Sequence, residues 1–160
     1  MKKFRVGNGY DVHRLAEGLQ LTLGGVKIEH DKGCVAHSDG DAVIHALCDA
    51  LLGAAALGDI GKHFPDTSDE FKGIDSRILL RRTASLLRQK GWQIGNVDCT
   101  IVLQRPKVAP YIEQMRQEMA NAMAIDTDDV AVKATTTEKL GFTGREEGVA
   151  AYAVALIFHD

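Results

Sequence analysis

The sequence contains few of the residues that mark specialised protein classes. Aromatic residues make up 6% of the 160 residues, and there are only three prolines and three cysteines. No apolar run reaches the roughly 18 residues that a membrane-spanning helix needs, so we expect no membrane contact. The first residues, MKKFRVGNGYDVH, carry two lysines with no hydrophobic segment behind them. This start predicts neither a signal peptide nor a transit peptide.

The cysteines are too few and too scattered to form a disulfide framework. Cys34, Cys48 and Cys99 are odd in number and widely spaced, and no CxxC pair exists. We therefore predict reduced thiols that serve as small core residues in a cytoplasmic protein.

The chain also lacks a charge excess of either sign. Nineteen basic residues face 22 acidic ones, a net charge of −3, which disfavours non-specific binding to nucleic acid but leaves room for a local anion site. Hydrophobic residues make up 45% and charged residues 26%, as in ordinary globular proteins. A chain of this length buries roughly 70% of its unfolded surface. We expect a single domain over 1–160.

The hydrophobic pattern predicts strands and helices that alternate along the chain. A Gly24-Gly25 pair indicates a hairpin within 19–28, and the Ala/Leu-rich stretch after Ser38 and Asp39, either of which is a candidate N-cap, predicts a helix that ends near Gly58. Further strands are predicted at 4–12, 92–104, 130–134 and 149–158, and further helices at 76–89 and from the Pro106–Pro110 turn to about 124. The glycine-rich stretch 58–73 is predicted to be a functional loop.

This order of elements favours an α+β fold, with a mixed β-sheet whose helices pack on one face as in a ferredoxin-like sandwich. Such a sheet leaves its second face open, and the last strand, VAAYAVALIF, is apolar on both sides. Either a second copy of the chain covers that face, or the strand lies centrally within the monomer.

Two polar patterns converge on a metal site. Asp11 and His13 are two apart in a predicted strand and therefore project to the same side, while Asp41, His45 and Asp49 form a polar stripe on the first helix. Each pattern alone is also typical of a solvated polar surface. Together, Asp11, His13 and His45 predict a three-ligand zinc site with an open fourth position.

Two further segments are candidate phosphate or anion contacts. Thr135-Thr136-Thr137-Glu138 follows a predicted strand and matches both a helix capping box and a phosphate and magnesium site. Arg105-Pro106-Lys107 and the GFTGR segment at 141–145 place cations beside proline or glycine. The GFTGR segment is more typical of a structural turn, and Arg105-Pro106-Lys107 is also consistent with an ordinary exposed loop.

Three segments of the chain resemble one enzyme family. These are GYDVHRL at 9–15, HSDGDAVIHALCDALLGAAALGDIGKHFPDT at 37–67 and ATTTEKLGFTGR at 134–145. In this order they resemble the 2-C-methyl-D-erythritol 2,4-cyclodiphosphate synthase family. The resemblance extends over nearly the whole chain.

The resemblance implies a homotrimer with active sites at its subunit interfaces. It also implies an enzyme of the non-mevalonate isoprenoid pathway that converts 4-diphosphocytidyl-2-C-methyl-D-erythritol 2-phosphate. In that reaction the 2-phosphate attacks the β-phosphorus of the same molecule and releases CMP, so the enzyme is a phosphorus–oxygen lyase.

The resemblance also assigns site residues in this sequence. It implies zinc ligands at Asp11, His13 and His45 and a magnesium or manganese contact at Glu138. The diphosphocytidyl group is expected to contact Thr135, Thr136, Ala134, Pro106 and Lys107. The methylerythritol phosphate is expected to contact His37, Ser38, Asp59 and Gly61, under a mobile flap at about 62–70. Positioning roles are expected for Asp41, Asp49 and His37. Phe142 and Arg145 are expected beside a cavity on the trimer axis that takes an isoprenoid or an anion. Glu146 stands where glycine is expected in many relatives.

Two other functions are compatible with the residue pattern. A metal-dependent phosphatase or other hydrolase would use water activated at the same zinc and release inorganic phosphate. A non-catalytic, trimeric nucleotide-binding module would bind CDP without needing Asp11 or His13.

Overall fold

The computed structural model describes residues 1–160 and contains seven strands and five α-helices. The strands are β1 (Lys3–Glu17), β2 (Leu21–Leu23), β3 (Val26–Ile28), β4 (Lys32–Cys34), β5 (Gln93–Val102), β6 (Val130–Thr135) and β7 (Gly148–His159). The helices are α1 (Ala42–Ala54), α2 (Ile60–His63), α3 (Ser76–Gln89), α4 (Ile112–Met123) and α5 (Gly141–Gly144). None of these helices is long and apolar enough to cross a membrane.

Five strands form one mixed sheet in the order β4-β1-β7-β5-β6, and β2 and β3 form the predicted hairpin. Strand β7 runs antiparallel to β1 and β5, whereas β5 and β6 are parallel and joined through α4. The predicted α+β class with a mixed sheet is confirmed. The ferredoxin-like prediction is wrong in detail, because that pattern is β-α-β-β-α-β, whereas here α4 separates β5 from β6 and only the one-turn helix α5 separates β6 from β7.

Helix α1 sits directly on the inner face of the sheet because the strand beneath it is lined with small residues. A Cβ added to Gly7 would lie 2.0 Å from the Ala50 carbonyl oxygen, and one added to Gly9 would lie 1.9 Å from that of Ala46. Ten of the thirteen residues of α1 are buried in the core. This close approach brings the His45 side chain of α1 next to Asp11 of β1.

The outer face of the sheet is apolar and uncovered in the single chain. Phe4, Val6 and Tyr10 of β1 are 58%, 66% and 48% exposed, and Tyr152 and Val154 of β7 are 51% and 46% exposed. Strand β7 lies in the middle of the five-stranded sheet. Its outer face nevertheless packs against no other element of the single chain.

The start of α1 differs from the sequence prediction. Neither Ser38 nor Asp39 caps the helix; the N-cap is Asp41, whose carboxylate accepts a hydrogen bond from the Ile44 amide. The Asp39 carboxylate is directed instead toward the amide of Asp41 and toward Ser76 at the start of α3. The helix also ends at Ala54, before the predicted Gly58.

The capping-box prediction at Thr135 is wrong as well. Glu138 and Lys139 have φ angles of 53° and 65°, so the chain forms a left-handed turn there rather than a helix start. Glu138 donates its amide hydrogen to Thr136 Oγ1. The next helix, α5, begins only at Gly141 and has no side-chain cap.

Candidate active site

The three predicted metal ligands meet where β1 crosses α1. Asp11 Oδ2 lies 2.8 Å from His13 Nε2 and 3.3 Å from His45 Nδ1, and the two imidazole nitrogens are 3.2 Å apart. Asp11 and His13 share one side of β1 because they are two residues apart. The close packing of α1 on the glycines of β1 supplies the third ligand.

The geometry of this cluster fits a tetrahedral metal ion. Ligand atoms at ordinary zinc distances in a tetrahedral site are separated by about 3.3 Å. Two of the three observed separations, 3.2 and 3.3 Å, match that value, and the Asp11–His13 separation is shorter, at 2.8 Å. Asp11 Oδ2 is also buried without a well-aligned hydrogen bond, although both imidazoles are near it. The three donor atoms are thus close enough to one another to share one cation.

The charge states of the cluster suit a cation. Burial raises the pKa of Asp11, but the short contacts with His13 and His45 outweigh burial and bring the pKa down to about 2. Burial lowers the pKa of His45, but Asp11 and the charges of Asp41 and Asp39 outweigh it, and the net pKa lies above the usual value. Asp11 therefore carries a negative charge at neutral pH, and this charge attracts a cation to the cluster.

A cavity of about 360 Å³ opens beside the metal ligands. Its wall contains three of the four residues expected to hold the methylerythritol phosphate, namely His37, Ser38 and Gly61, together with the ligands His13 and His45. The fourth, Asp59, is not in the wall; it caps α2 by accepting a hydrogen bond from the Lys62 amide.

A second cavity, of about 230 Å³, contains all five residues expected around the diphosphocytidyl group. Its wall includes Pro106, Lys107, Ala134, Thr135 and Thr136. No residue of this wall belongs to the wall of the metal-site cavity. Glu138 lies in the exposed turn that follows, outside the wall. The two ends of the expected substrate thus correspond to separate cavities of one chain.

Comparison with known proteins identifies the family of this chain. The YgbB family profile matches residues 4–158. The chain belongs to the YgbB family. A 2-C-methyl-D-erythritol 2,4-cyclodiphosphate synthase of Azotobacter vinelandii is 66% identical to it over 153 residues, which are 96% of this chain and 98% of that relative.

Solved structures of this family share the fold. The bifunctional IspDF of Campylobacter jejuni superimposes with a TM-score of 0.96 at 41% identity, over 100% of this chain and 43% of that one. IspF of Plasmodium falciparum, solved as a CDP complex, superimposes with a TM-score of 0.84 at 36% identity over 96% of this chain and 95% of that one. The mixed sheet and its helices are therefore those of the YgbB family.

Asp41 and Asp49 each bind backbone amides. Asp41 is completely buried and accepts hydrogen bonds from the amides of Gly24, Gly25 and Ile44, which ties the β2–β3 turn to the start of α1. Asp49 accepts a 2.7 Å hydrogen bond from the Ile60 amide at the start of α2. Asp49 thus holds Ile60, a residue of the metal-site cavity wall, and Asp41 holds the start of α1, on which His45 lies.

Phe142 and Arg145 belong to the wall of neither cavity. Phe142 borders a small pocket of about 200 Å³ whose wall also includes Val12 and the metal ligand His13, whereas Arg145 is exposed and pairs with Glu147. Glu146 has a φ of 61°, a left-handed conformation that glycine adopts without strain. The Glu146 side chain pairs with Arg105 at 2.7 Å.

The sequence did not predict Ser76, which contacts the metal ligand His45, or the role of Asp39, which contacts Ser76. Ser76 Oγ lies 2.9 Å from His45 Nε2, and Asp39 contacts Ser76 in turn. These residues are 37 positions apart, and no periodicity links the start of α3 to the start of α1. Phe64 and Phe71, which meet edge to face in the cavity wall, were also missed.

Proposed function

We propose that this chain converts 4-diphosphocytidyl-2-C-methyl-D-erythritol 2-phosphate to 2-C-methyl-D-erythritol 2,4-cyclodiphosphate and CMP. An oxygen of the 2-phosphate forms a bond to the β-phosphorus, and the bond from that phosphorus to the oxygen shared with the α-phosphorus breaks. The released CMP keeps that oxygen, so no water or oxidant is consumed. The observation that carries the proposal is the Asp11–His13–His45 cluster, whose three donor atoms lie within 3.3 Å of one another beside a cavity of about 360 Å³.

The residues support two metal sites with different donors. Asp11, His13 and His45 would hold zinc, and Glu138 would contact magnesium or manganese together with the diphosphate. Bound metal ions supply positive charge that offsets the repulsion between the two phosphates. His37 and Ser38 lie in the same cavity wall as the zinc ligands and present polar groups to the methylerythritol phosphate.

The carboxylates near the site support positioning rather than proton transfer. The nucleophile is a phosphate that is already anionic, so the reaction needs no general base. Asp41 and Asp49 are occupied by backbone amides, which is consistent with a purely structural use of both. Holding the cytidyl end and the phosphate end of one flexible molecule supplies the proximity that the cyclisation requires.

The enzyme that we propose is a homotrimer. The uncovered apolar face formed by β1 and β7 supports assembly through the sheet. The absence of any shared wall residue between the two cavities supports a site formed by the phosphate cavity of one subunit and the cytidyl cavity of its neighbour. Phe142 and Arg145 would then border the trimer axis, where an isoprenoid or an anion binds. The buried, unpaired thiols support a cytoplasmic setting.

Residues 62–70 form the flap over the metal-site cavity in this proposal. His37 Nε2 contacts the Ser68 carbonyl oxygen at 2.9 Å, and Arg82 pairs with Glu70 at 2.7 Å. Arg82 and Glu70 are both exposed, and pairs of this kind contribute little to stability. Opening of the flap for the substrate would also separate Phe64 from Phe71, against which it packs edge to face.

Phosphorus NMR of the purified protein with substrate, zinc and magnesium tests the function. We expect CMP and the cyclic diphosphate to appear together, and His45→Ala to abolish turnover while remaining folded. Release of inorganic phosphate would favour a hydrolase, and bound CDP without turnover would favour a binding module. Ordinary kinetics for His45→Ala would contradict the zinc site. A sedimentation mass of 17.4 kDa, that of one chain, would contradict the trimer.

A further inference from the structure

The two nitrogens of the His45 ring face different surroundings. Nδ1 points toward the metal cluster, 3.3 Å from Asp11 Oδ2. Nε2 points the other way, 2.9 Å from Ser76 Oγ and 3.1 Å from Ser38 Oγ. A neutral imidazole carries a proton on only one nitrogen, so whatever binds Nε2 decides whether Nδ1 has a free lone pair.

The contact between Ser76 and Asp39 fixes the direction of the hydrogen bond to His45. Asp39 Oδ1 lies 2.5 Å from Ser76 Oγ, and Asp39 Oδ2 accepts a 2.9 Å hydrogen bond from the Ser76 amide. Asp39 Oδ1 also accepts from the Asp41 amide at 3.1 Å. A carboxylate bound by these donors acts as an acceptor, so the Ser76 hydroxyl donates to Asp39. The Ser76 oxygen is then left to accept the proton on Nε2 of His45.

We infer that Ser76 and Asp39 are positioning residues, which hold the His45 proton on Nε2 and thereby reserve Nδ1 for a divalent metal ion. Ser76 is completely buried, so water does not compete for its hydroxyl. The pair also links the start of α3 to the loop before α1, on which Ser38 lies. This role rests on the proposed function, because it needs a metal ion at the Asp11–His13–His45 site.

The arrangement has a consequence for Ser38. Its oxygen accepts a hydrogen bond from the Gly40 amide at 3.2 Å. Because Ser76 takes the shorter hydrogen bond from His45, the Ser38 hydroxyl keeps its own proton for a ligand in the metal-site cavity. A substrate phosphate is an acceptor of the kind that this hydroxyl would bind.

Zinc affinity, measured by competition with a chromophoric chelator, tests the inference without relying on turnover. We expect Ser76→Ala and Asp39→Asn to weaken zinc binding by about 10- to 100-fold, the range for outer partners of metal-binding histidines. The matched control is Thr83→Val, which removes another buried hydroxyl of α3 away from His45. Its zinc affinity should equal that of the wild type.

The outcomes separate the inference from the proposed function. Wild-type affinity in Ser76→Ala, with His45→Ala still much weaker, would overturn the role of the pair and leave the metal site standing. Equal affinity in wild type and His45→Ala would overturn the metal site and the inference with it.

A second measurement does not depend on the folding of any variant. In zinc-loaded wild-type protein, long-range proton–nitrogen NMR should show the His45 proton on Nε2 and the metal-shifted signal on Nδ1. A metal-shifted signal on Nε2 would overturn the inference.

Discussion

At the scale of single residues, one side-chain type serves three purposes according to what it contacts. Asp11 faces two imidazoles, and its pKa falls to about 2. Asp41 is desolvated at the helix start, which raises its pKa to about 6 despite hydrogen bonds from Ile44, Gly25 and Gly24. Asp49 also has a raised pKa because burial outweighs its hydrogen bond from Ile60. Of these three carboxylates, only that of Asp11 contacts two imidazole nitrogens, so only Asp11 has the surroundings of a metal ligand.

The cysteines illustrate how burial alone removes reactivity. Cys48 and Cys99 are completely buried and Cys34 nearly so, and burial is the main cause that raises the pKa of each thiol to about 12. Since the thiolate is the reactive form, we expect no labelling of the native protein by a thiol-specific disulfide reagent. The same assay in guanidinium should detect three thiols. Rapid labelling before unfolding would show that the core opens at one of these positions.

At the scale of elements, the catalytic geometry depends on how closely α1 approaches β1. The glycines of β1 allow backbone contact where any side chain would push the helix away. Displacing α1 would also move His45 relative to Asp11 and His13, because those ligands lie on different elements. Stability and metal binding are therefore coupled through one packing contact.

Replacement of Gly9 tests this coupling. Its Cβ would lie 1.9 Å from the Ala46 carbonyl oxygen, a backbone atom that cannot rotate away. We expect Gly9→Ala to lower the free energy of unfolding by about 3 kcal/mol, at the upper end for overpacking, and to weaken zinc binding. Denaturant titration and the chelator assay measure the two effects.

The matched control is Gly53→Ala within α1. A Cβ there would meet only the Asn8 carbonyl oxygen, at 3.9 Å. Because alanine favours a helix over glycine, this variant should gain about 0.5–1 kcal/mol and keep its zinc affinity. A Gly9→Ala protein as stable as the wild type would contradict the close approach.

The elements that could be predicted from sequence are those whose signal is local. The helix predicted over 76–89 coincides with α3, and the Gly24-Gly25 hairpin is present, because periodicity and turn chemistry act within a few residues. The start of α1 could not be predicted. Asp39 looked like a cap, but its carboxylate binds Ser76, which is distant in sequence. The same limit applies to the candidate site. The spacing predicted Asp11, His13 and His45, which lie at regular intervals on their own elements, but not Ser76 and Asp39, which approach the Nε2 side of His45.

At the scale of the whole molecule, the single chain leaves two features incomplete. The outer face of its sheet is apolar and uncovered, and its two candidate substrate cavities are separate. One substrate molecule must contact both kinds of cavity if the proposed reaction is correct. The proposed head-to-tail ring of subunits would cover this face and would join each phosphate cavity to the next subunit's cytidyl cavity. In a closed ring of this kind every interface is equivalent.

Mixing two inactive variants tests whether the site is shared. His45→Ala removes a metal ligand, and Ala134→Trp fills the cytidyl cavity, in whose wall Ala134 lies. After the two proteins are unfolded together and refolded in equal amounts, a shared site regenerates one intact site in each mixed trimer. This arrangement restores about a quarter of wild-type turnover, because three-quarters of randomly formed rings are mixed and one site in three is intact. If each chain instead carried a complete site, every site in the mixture would be damaged, and the refolded mixture would be as inactive as either variant alone.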